Sequence, residues 1–327
     1  MCSDSSRYFF NRTIKGRYGA GQAGLCGSAA RPIDRGVSKE SDLIAAMRAL
    51  ALHPAARGLA DDCAVLPFGG ETLVLTHDMM VEGVHWLPGQ DMADVAWKLL
   101  ATNLSDLAAK GAEPVGVLLG FTLGEEDTRF VAGLGEALQA FGVPLLGGDT
   151  VSGTGPRSLG LTALGRATFS PVPSRSGAKA GDTLWLTGPV GAAMLGFEAL
   201  RDGTGRDSIA FRRPLPRLAE GRALAPLATA MMDVSDGLLI DAARMAQASG
   251  VTFALAGDAV PFPVALPDVR RDEAMRWGDD YELLFTLPAG IAPPVAAHRI
   301  GVAQALTSSP VIVDGAVPHG NLGYMHD

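Results

Sequence analysis

The chain has 327 residues, of which 47% are hydrophobic and 19% are charged, and its formal net charge is −8. This composition provides for one large core or two ordinary ones, argues against extended disorder, and disfavours nucleic acid as a partner because the charge is acidic. The three cysteines have no CxxC or zinc-finger spacing, and no apolar run reaches the roughly 18 to 20 residues of a membrane span, so we expect no disulfide framework and no membrane partner. We predict a cytoplasmic protein of two domains and α/β class, with mixed α+β character.

The first 37 residues are rich in Gly, Ser and Arg and show no hydrophobic periodicity. We interpret residues 1–37 as a disordered or mis-assigned N-terminal extension; a loose resemblance to an organellar transit peptide is the alternative. A helical pattern begins at Ser41, where a cap precedes Leu43 and Met47. The first folded domain is predicted at residues 38–167 and the second at residues 168–327.

The first domain is predicted to alternate strands with two amphipathic helices. An apolar stripe that includes Val95, Leu99 and Leu104 marks the longer helix, and Gly111 follows it as a C-cap. The predicted elements are strands at 63–66 and 72–76, a helix at about 92–110, a strand at 115–123, a helix at 126–141, and strands at 143–146 and 159–166.

A Pro, Ser and Gly-rich stretch at residues 168–181 has the composition of an interdomain connector. Beyond it, the predicted elements are a strand at 183–187, a helix after Gly191, a strand at 230–232, a helix at 238–248 and a strand at 282–287. No repeat of 20 to 50 residues is evident, so an array of repeats is excluded.

Short acidic clusters recur beside glycines and at the ends of apolar runs. They are Asp61-Asp62, Asp78, Asp106, Gly147-Gly148-Asp149, Asp233-Val234-Ser235-Asp236 and Asp279-Asp280. Any one of them is explained by an ordinary turn or helix cap. A fold that gathers several carboxylates needs compensating cations, because the charges repel one another and are costly to desolvate. The clusters together therefore indicate Mg²⁺ and a nucleotide polyphosphate.

The usual nucleotide and nucleophile motifs are absent from the chain: there is no P-loop, kinase catalytic loop, strand-linked GxGxxG, GxSxG elbow or HExxH. Dispersed carboxylates still suit Mg²⁺, and backbone N–H groups at 147–148 and 235–237 are candidates to bind phosphate. His85 is either a structural hydrogen-bond partner or a ligand contact, and Arg175 is either a solvated connector charge or a phosphate clamp.

Seven stretches, taken in order, resemble the thiamine-monophosphate kinase family, within the superfamily of aminoimidazole-ribonucleotide synthetase-like ATP enzymes. They are DDCAVL at 61–66, THDMMVEGVHW at 76–86, KLLATNLSDLAA at 98–109, GGDT at 147–150, RSGA at 175–178, DVSDGL at 233–238 and GDDYEL at 278–283. Each is weak alone, but the ordered series covers about residues 40–327 and is specific.

This resemblance implies direct in-line transfer of the ATP γ-phosphoryl group to thiamine monophosphate (TMP), giving thiamine diphosphate and ADP, the last step of thiamine diphosphate biosynthesis. It implies an N-terminal Mg-ATP-binding domain whose mixed sheet closes a barrel in a homodimer, and a C-terminal α/β sandwich that completes the ATP and substrate sites. Several Mg²⁺ ions would be held by Asp62, Thr76, His77 (through its backbone oxygen), Asp78, Asp106, Asp149, Asp233 and Asp236. ATP would contact Gly148, Asp149, Arg175 and Ser235. TMP would contact His85, Asp279 and Tyr324. No residue is implied as a covalent nucleophile.

Three positions depart from the family pattern: Ala60 replaces a glycine, His77 replaces the commoner threonine, and the C-terminal stretch GYMHD at 323–327 lacks the usual aromatic end. The last departure bears on the role of Tyr324. The alternatives are another ATP-dependent synthetase of the superfamily, or a non-enzymatic protein that binds divalent metals. A selenophosphate synthetase would have a reactive cysteine with a lysine nearby, whereas Cys26 has only Arg31 near it. A hydrogenase-maturation relative would end in Cys, whereas this sequence ends in Asp327. The non-enzymatic alternative would be favoured by a DxDxDG calcium loop, and the sequence contains none.

Overall fold

The computed structural model describes residues 39–325. The predictions for residues 1–37 lie outside these residues. The first helix, α1, spans Lys39–Arg48, and its apolar side chains Leu43 and Met47 are exposed, as is Leu50 just beyond it. The predicted helix therefore exists, but the described residues do not cover its apolar stripe.

The first sheet has five strands in the order β1-β2-β5-β3-β4. Their bounds are Ala64–Phe68 (β1), Glu71–Val81 (β2), Ala112–Thr122 (β3), Leu145–Val151 (β4) and Ser158–Ala167 (β5). Only β3 and β4 pair in parallel, so the sheet is mixed, as predicted. Two helices, α2 at Met92–Ala109 and α3 at Asp127–Phe141, contribute buried residues to the core beneath this sheet.

Helix α2 begins where the Asp91 carboxylate accepts a hydrogen bond from the Ala93 N–H at 2.9 Å. Every residue in it is buried except Trp97 and Asp106, which is typical of a helix enclosed on all sides. It approaches α3 closely at Gly133, where a Cβ atom would lie 2.3 Å from the Ala93 Cα. Helix α2 is therefore held rigidly in the core.

The second sheet has six strands in the order β11-β8-β10-β6-β9-β7. Their bounds are Thr183–Leu186 (β6), Ala230–Asp233 (β7), Val251–Leu255 (β8), Leu283–Leu287 (β9), His298–Ala305 (β10) and Val311–Val313 (β11). The accompanying helices are Ala192–Arg201 (α4), Ile209–Arg212 (α5), Leu218–Leu224 (α6), Leu238–Ser249 (α7) and Arg271–Trp277 (α8). Strands β8, β10 and β11 and helices α5, α6 and α8 had not been predicted.

The end of α2 also packs against the second sheet. Ala108 and Ala109 share one buried cluster with Leu224 of α6, Met231 of β7 and Phe285 of β9. A single helix thus contributes to the cores of both sheets. The predicted domain boundary at residue 168 stays a prediction, since residues 38–327 cluster as one compact unit.

Strand β4 differs from its prediction. It spans Leu145–Val151, so Gly147 through Thr150 lie inside the strand and do not follow it. The reason is close packing: a Cβ atom at Gly148 would lie 2.0 Å from the Leu119 carbonyl oxygen, so only glycine lets β4 approach β3 there.

The first sheet has a second face that the described residues leave open. Met79, Leu118, Leu146 and Val151 are 55%, 41%, 53% and 52% exposed. Large apolar side chains grouped in this way indicate a surface for a partner. No helix within residues 39–325 is long and apolar enough to cross a membrane.

Candidate active site

Three aspartates from different parts of the chain meet beside α2. Asp62 lies two residues before β1, Asp106 belongs to α2 and Asp233 ends β7. One oxygen atom of each lies within 4.8 Å of the others. The loop before the first sheet, the central helix and the second sheet therefore all contribute to one carboxylate cluster, named here the triad.

Polar neighbours orient the triad. The Asp106 carboxylate accepts a hydrogen bond from the Thr76 hydroxyl, and Asp233 Oδ2 accepts one from the Ser105 hydroxyl at 2.6 Å. The Asp78 N–H donates to Asn103 Oδ1 at 3.0 Å, which ties β2 to α2. Thr76 and Asp78 thus face the helix that carries Asp106, as alternate residues on one strand face do.

Burial raises the pKa of these carboxyl groups. The pKa of Asp233 rises to about 8, first through desolvation and then through the nearby charge of Asp62. Desolvation, followed by Asp62 and Asp236, raises the pKa of Asp78 to about 6. The pKa of Asp106 lies well above its usual value because of burial and then Asp78 and Asp233. Hard oxygen donors with an excess of negative charge fit Mg²⁺.

Asp62 differs from its neighbours because it has its own cations. Lys110 Nζ lies 2.5 Å from Asp62 Oδ2 and 2.5 Å from Asp61 Oδ1, and Arg175 Nε donates to Asp62 Oδ1 at 2.8 Å. Burial acts to raise the pKa of Asp62, but Arg175 and Lys110 outweigh it and hold that pKa well below the usual range. Asp62 is therefore the triad member whose negative charge the chain's own cations balance.

Lys110 was missed by the sequence reasoning. Its side chain is fully buried, and it follows Asp106 by four residues, a spacing that places two side chains on the same helix face. That spacing was the available signal. The long-range contacts with Asp61 and Asp62 were not visible from the sequence.

Arg175 had two interpretations, and the structure distinguishes them. Its side chain is 22% exposed and pairs with Asp62, so it is not a solvated connector charge. The connector between the two sheets therefore brings a guanidinium group to the triad. Its predicted contact with a phosphate stays a prediction.

The loop at residues 233–237 corrects one expectation. The backbone N–H groups of Ser235, Asp236 and Gly237 donate to Asp241 Oδ2 at 3.1, 3.0 and 3.2 Å. The chain's own carboxylate thus occupies the donors that had been considered for phosphate, because N–H groups buried at a helix start need a partner. Arg244 completes this arrangement, with Nη1 2.9 Å from Asp241 Oδ1 and in contact with Asp236.

Two of the predicted acceptor contacts are brought together by a lysine. Lys98 Nζ lies 2.7 Å from Asp279 Oδ2 and donates to the His85 carbonyl oxygen at 3.1 Å. Burial lowers the pKa of Lys98, and the Asp279 carboxylate opposes that change. The third predicted contact, Tyr324, lies by the other loop, where its N–H donates to the Asp236 carbonyl oxygen at 2.9 Å.

His77 and Asp149 lie apart from the triad. His77 is exposed, and its Nδ1 is 2.9 Å from the Thr162 hydroxyl. The strand register aligns Asp149 with Gly120, Gly160 and then the exposed Met79. His77 and Met79 are two residues apart on β2, so both point to the open face of the sheet, away from Thr76 and Asp78. The His77 side chain is therefore not a triad ligand.

Asp280, which directly follows Asp279, has a structural role. The Asp280 carboxylate accepts hydrogen bonds from the Gly191 N–H at 3.0 and 2.9 Å and from the Ala193 N–H at 3.4 Å, at the start of α4. Desolvation raises its pKa to about 8. Adjacent aspartates thus serve different purposes, one at a helix start and one at the Lys98 contact.

Family models and individual relatives both match this chain. Residues 60–167 match the AIR synthase related protein N-terminal domain, and residues 179–298 match the corresponding C-terminal domain. A thiamine-monophosphate kinase of Escherichia coli K12 is 38% identical over 249 residues, which are 71% of this chain and 76% of that protein. One from Caulobacter vibrioides is 44% identical over 208 residues, 60% of this chain and 59% of that protein.

Solved structures agree with these relatives. AaThiL complexed with AMPPCP and TMP has a TM-score of 0.77 at 25% identity, covering 88% of this chain and 97% of that one. Thiamine-monophosphate kinase from Stenotrophomonas maltophilia has a TM-score of 0.70 at 33% identity, covering 84% and 96%. The hydrogenase maturation protein HypE in complex with ATP, at 21% identity and a TM-score of 0.66, is similar in fold.

Proposed function

The chain belongs to the thiamine-monophosphate kinase family, and we propose that the residues around the triad and Lys98 carry out that family's reaction. The enzyme phosphorylates TMP with ATP as co-substrate and yields thiamine diphosphate and ADP. The observation that carries the proposal is the convergence of Asp62, Asp106 and Asp233 within 4.8 Å, in a chain 38% identical over 249 residues to a thiamine-monophosphate kinase.

We propose a direct, in-line transfer. An oxygen of the TMP phosphate attacks the γ-phosphorus of ATP, the bond from that phosphorus to the bridging oxygen breaks, and ADP leaves with the electron pair. The attacking phosphate is already ionised near neutral pH, so the reaction needs no general base. Positioning and neutralisation of charge are then the main tasks of the protein.

The metal ligands are a proposal that the carboxylate chemistry supports. Bound Mg²⁺ would neutralise the phosphate oxygens of the two substrates. The residues proposed to hold the ions are Asp62, Thr76, the His77 backbone oxygen, Asp78, Asp106, Asp149, Asp233 and Asp236. Thr76 and Ser105 orient two of these carboxylates, and Lys110 keeps Asp62 fixed and ionised.

The substrate contacts remain proposals as well. We propose Gly148, Asp149, Arg175 and Ser235 for ATP, with Arg175 supported by its place against Asp62. We propose His85, Asp279 and Tyr324 for TMP; the shared contact of His85 and Asp279 with Lys98 supports the first two. For Ser235 the side chain is the proposed contact, since its N–H is bonded to Asp241.

We also propose a homodimer and a cytoplasmic location. The open face of the first sheet, with Met79, Leu118 and Leu146, supports the dimer, because a second copy of this face would bury those side chains in a closed barrel. His77 lies on the same face and would then be near the interface. Sedimentation velocity tests the dimer; a monomer at micromolar concentration would contradict it.

The reaction is tested by incubating the protein with Mg-ATP and, in separate tubes, TMP, thiamine, selenide or the aminoimidazole-ribonucleotide precursor. We expect ADP and thiamine diphosphate with TMP alone. AMP as product, or turnover of thiamine only, would reject the reaction. Turnover with selenide or the purine precursor would support the other synthetases of the superfamily, and metal binding without any turnover would support a non-enzymatic metal-binding protein.

A further inference from the structure

Lys98 is a buried cation to which the proposed phosphoryl transfer assigns no task. Its side chain is 1% exposed, and its ammonium group contacts Asp279 at 2.7 Å and the His85 carbonyl oxygen at 3.1 Å. The same group stands 3.9 Å from the centre of the Phe211 ring. An ammonium group is costly to remove from water. Asp279, His85 and Phe211 come from three separate segments, so the fold holds the charged Lys98 ammonium group in a fixed position.

The Asp279 carboxylate is held at both oxygens. Oδ2 accepts a hydrogen bond from Lys98 Nζ at 2.7 Å, and Oδ1 accepts one from the Tyr281 hydroxyl at 2.8 Å. The carboxylate is nevertheless 26% exposed, whereas Lys98 and the Tyr281 residue are buried. A carboxylate oxygen has two lone pairs, so a ligand can still bind on the open edge.

The backbone around Asp279 is strained. Gly278, Asp279 and Tyr281 have φ angles of 91°, 60° and 53°, a region that residues other than glycine seldom adopt. The Asp279 N–H donates to the Ser235 carbonyl oxygen at 2.7 Å, and the Tyr281 N–H donates to the Val234 carbonyl oxygen at 2.8 Å. Strain of this kind persists where the surroundings fix it, and it clusters at ligand sites.

These same hydrogen bonds connect Asp279 to the triad. Val234 and Ser235 directly follow Asp233, so the strained turn is attached to the loop that carries a triad member. A Cβ atom at Gly278 would lie 2.4 Å from the Ser235 carbonyl oxygen, so only glycine lets the turn approach this loop so closely. The position of Asp279 relative to the triad is therefore fixed on one side by this loop and on the other by Lys98.

We propose that Lys98 and Tyr281 are positioning residues that hold the Asp279 carboxylate against the positively charged organic part of TMP. A carboxylate repels the phosphate of TMP and attracts its cationic thiazolium ring, so Asp279 selects the ring and leaves the phosphate to the triad. The inference rests on the proposed function, because it assumes that TMP binds here.

Isothermal titration calorimetry with TMP tests the proposal. We expect Lys98→Met and Asp279→Asn each to weaken TMP binding about tenfold. The double variant should bind TMP at most about twofold more weakly than either single variant, because both changes remove the same Lys98–Asp279 interaction. Binding of AMPPCP with Mg²⁺ should change less than about twofold, and in steady state KM for TMP should rise more than kcat falls. Unchanged TMP affinity in Lys98→Met, or fully additive losses, would overturn the proposal.

The choice of ligand separates positioning from general damage. The uncharged thiophene isostere of TMP lacks the ring cation, so it should bind the wild-type protein and Lys98→Met with equal affinity. A tenfold loss for this isostere as well would overturn the charge argument. Lys179→Met makes the same substitution at an exposed lysine and should leave TMP affinity unchanged.

A second variant covers the case in which Lys98→Met does not fold. Tyr281→Phe keeps the ring and removes only the hydroxyl that donates to Asp279, so we expect a cooperative thermal transition and about threefold weaker TMP binding. Wild-type affinity in this variant would contradict the role of Tyr281. If the wild-type protein forms no thiamine diphosphate, the proposed function fails; if it does and Lys98→Met binds TMP normally, only this inference fails.

Discussion

Helix α2 and its C-cap residue each carry one buried lysine, Lys98 and Lys110, and the surroundings of the two differ in charge. Lys98 pairs with one carboxylate, Asp279, so its neighbourhood is close to neutral. Lys110, about 18 Å farther along the helix axis, pairs with Asp61 and Asp62. Close to the second pair lie the triad members Asp106 and Asp233, whose pKa values are raised by burial.

This difference separates two ways of holding a carboxylate in a protein interior. Near Lys98 the chain supplies the cation that fixes the Asp279 carboxylate, and the open edge of that carboxylate is left for the proposed organic ligand. Near Lys110 the cations suffice for Asp61 and Asp62 but not for the rest of the triad. The second region therefore has carboxylates that no cation within residues 39–325 balances, and this imbalance supports the Mg²⁺ proposed there.

The largest expected effect is on folding. Lys110→Met leaves Asp61 and Asp62 buried with less positive charge, and loss of one partner from a buried pair costs about 3 to 5 kcal/mol. Urea unfolding should show this loss in the free energy of unfolding. Asp61→Asn added to Lys110→Met should recover part of it, and Lys179→Met should change nothing. Wild-type stability in Lys110→Met would show that the buried cation is dispensable.

The next effect is on turnover. Asp106→Asn removes a proposed metal ligand, and we expect kcat to fall roughly 100-fold or more, as it does when a group that stabilises developing charge is removed. Asp78→Asn and Asp236→Asn should lower turnover by a similar factor. The fold should persist, since one repelling charge is lost. Asp258→Asn, at a fully exposed position, is the matched control. Near-normal turnover in all three variants would refute the metal assignment.

A smaller effect concerns pH in metal-free protein. The folded pKa of Asp233 is about 8 against an ordinary 3.8, so between these values the folded state retains a proton that the unfolded state has released. Stability is then present at low pH and is lost as pH rises towards 8, at about 1 kcal/mol per pH unit. Thermal unfolding in EDTA should show Tm falling from pH 5 to pH 8. Added Mg²⁺ should raise Tm, and the increase should be largest at pH 8. A Tm that rises over this range without metal would contradict the charge imbalance.

The smallest effect is expected at the surface. Arg129 pairs with Asp91 at 2.7 Å, but the two side chains are 48% and 40% exposed, so water and salt screen them. Arg129→Gln should leave Tm and turnover unchanged within error. A clear loss in either would show that exposed pairs matter here as well, and it would weaken the contrast with the buried lysines.

The sequence predicted local features well. The helix expected at 92–110 spans Met92–Ala109, and the mixed first sheet is confirmed. Periodicity and caps determine such a helix within a few neighbouring residues, whereas the mixed sheet was implied by the family resemblance. The strand end before Gly147 was predicted wrongly, because a glycine needed for close strand packing has the same local signature as one in a turn.

Contacts between distant residues were beyond the sequence. Lys98 and Asp279 are separated by 181 positions, and Arg175 and Asp62 by 113. No local pattern links such pairs, so the choice between a solvated and a buried Arg175 needed the fold. Three of the acidic clusters proved to converge, whereas Asp149 lies on an exposed strand apart from the triad.

Calorimetric titration of AMPPCP into the wild-type protein, with and without Mg²⁺, tests the central claim most directly. If the triad takes its missing cation from solution together with the nucleotide, AMPPCP binds tightly only with Mg²⁺, and Asp106→Asn loses most of that dependence. Equal affinity with and without Mg²⁺, or an unchanged Mg²⁺ dependence in Asp106→Asn, would contradict the account.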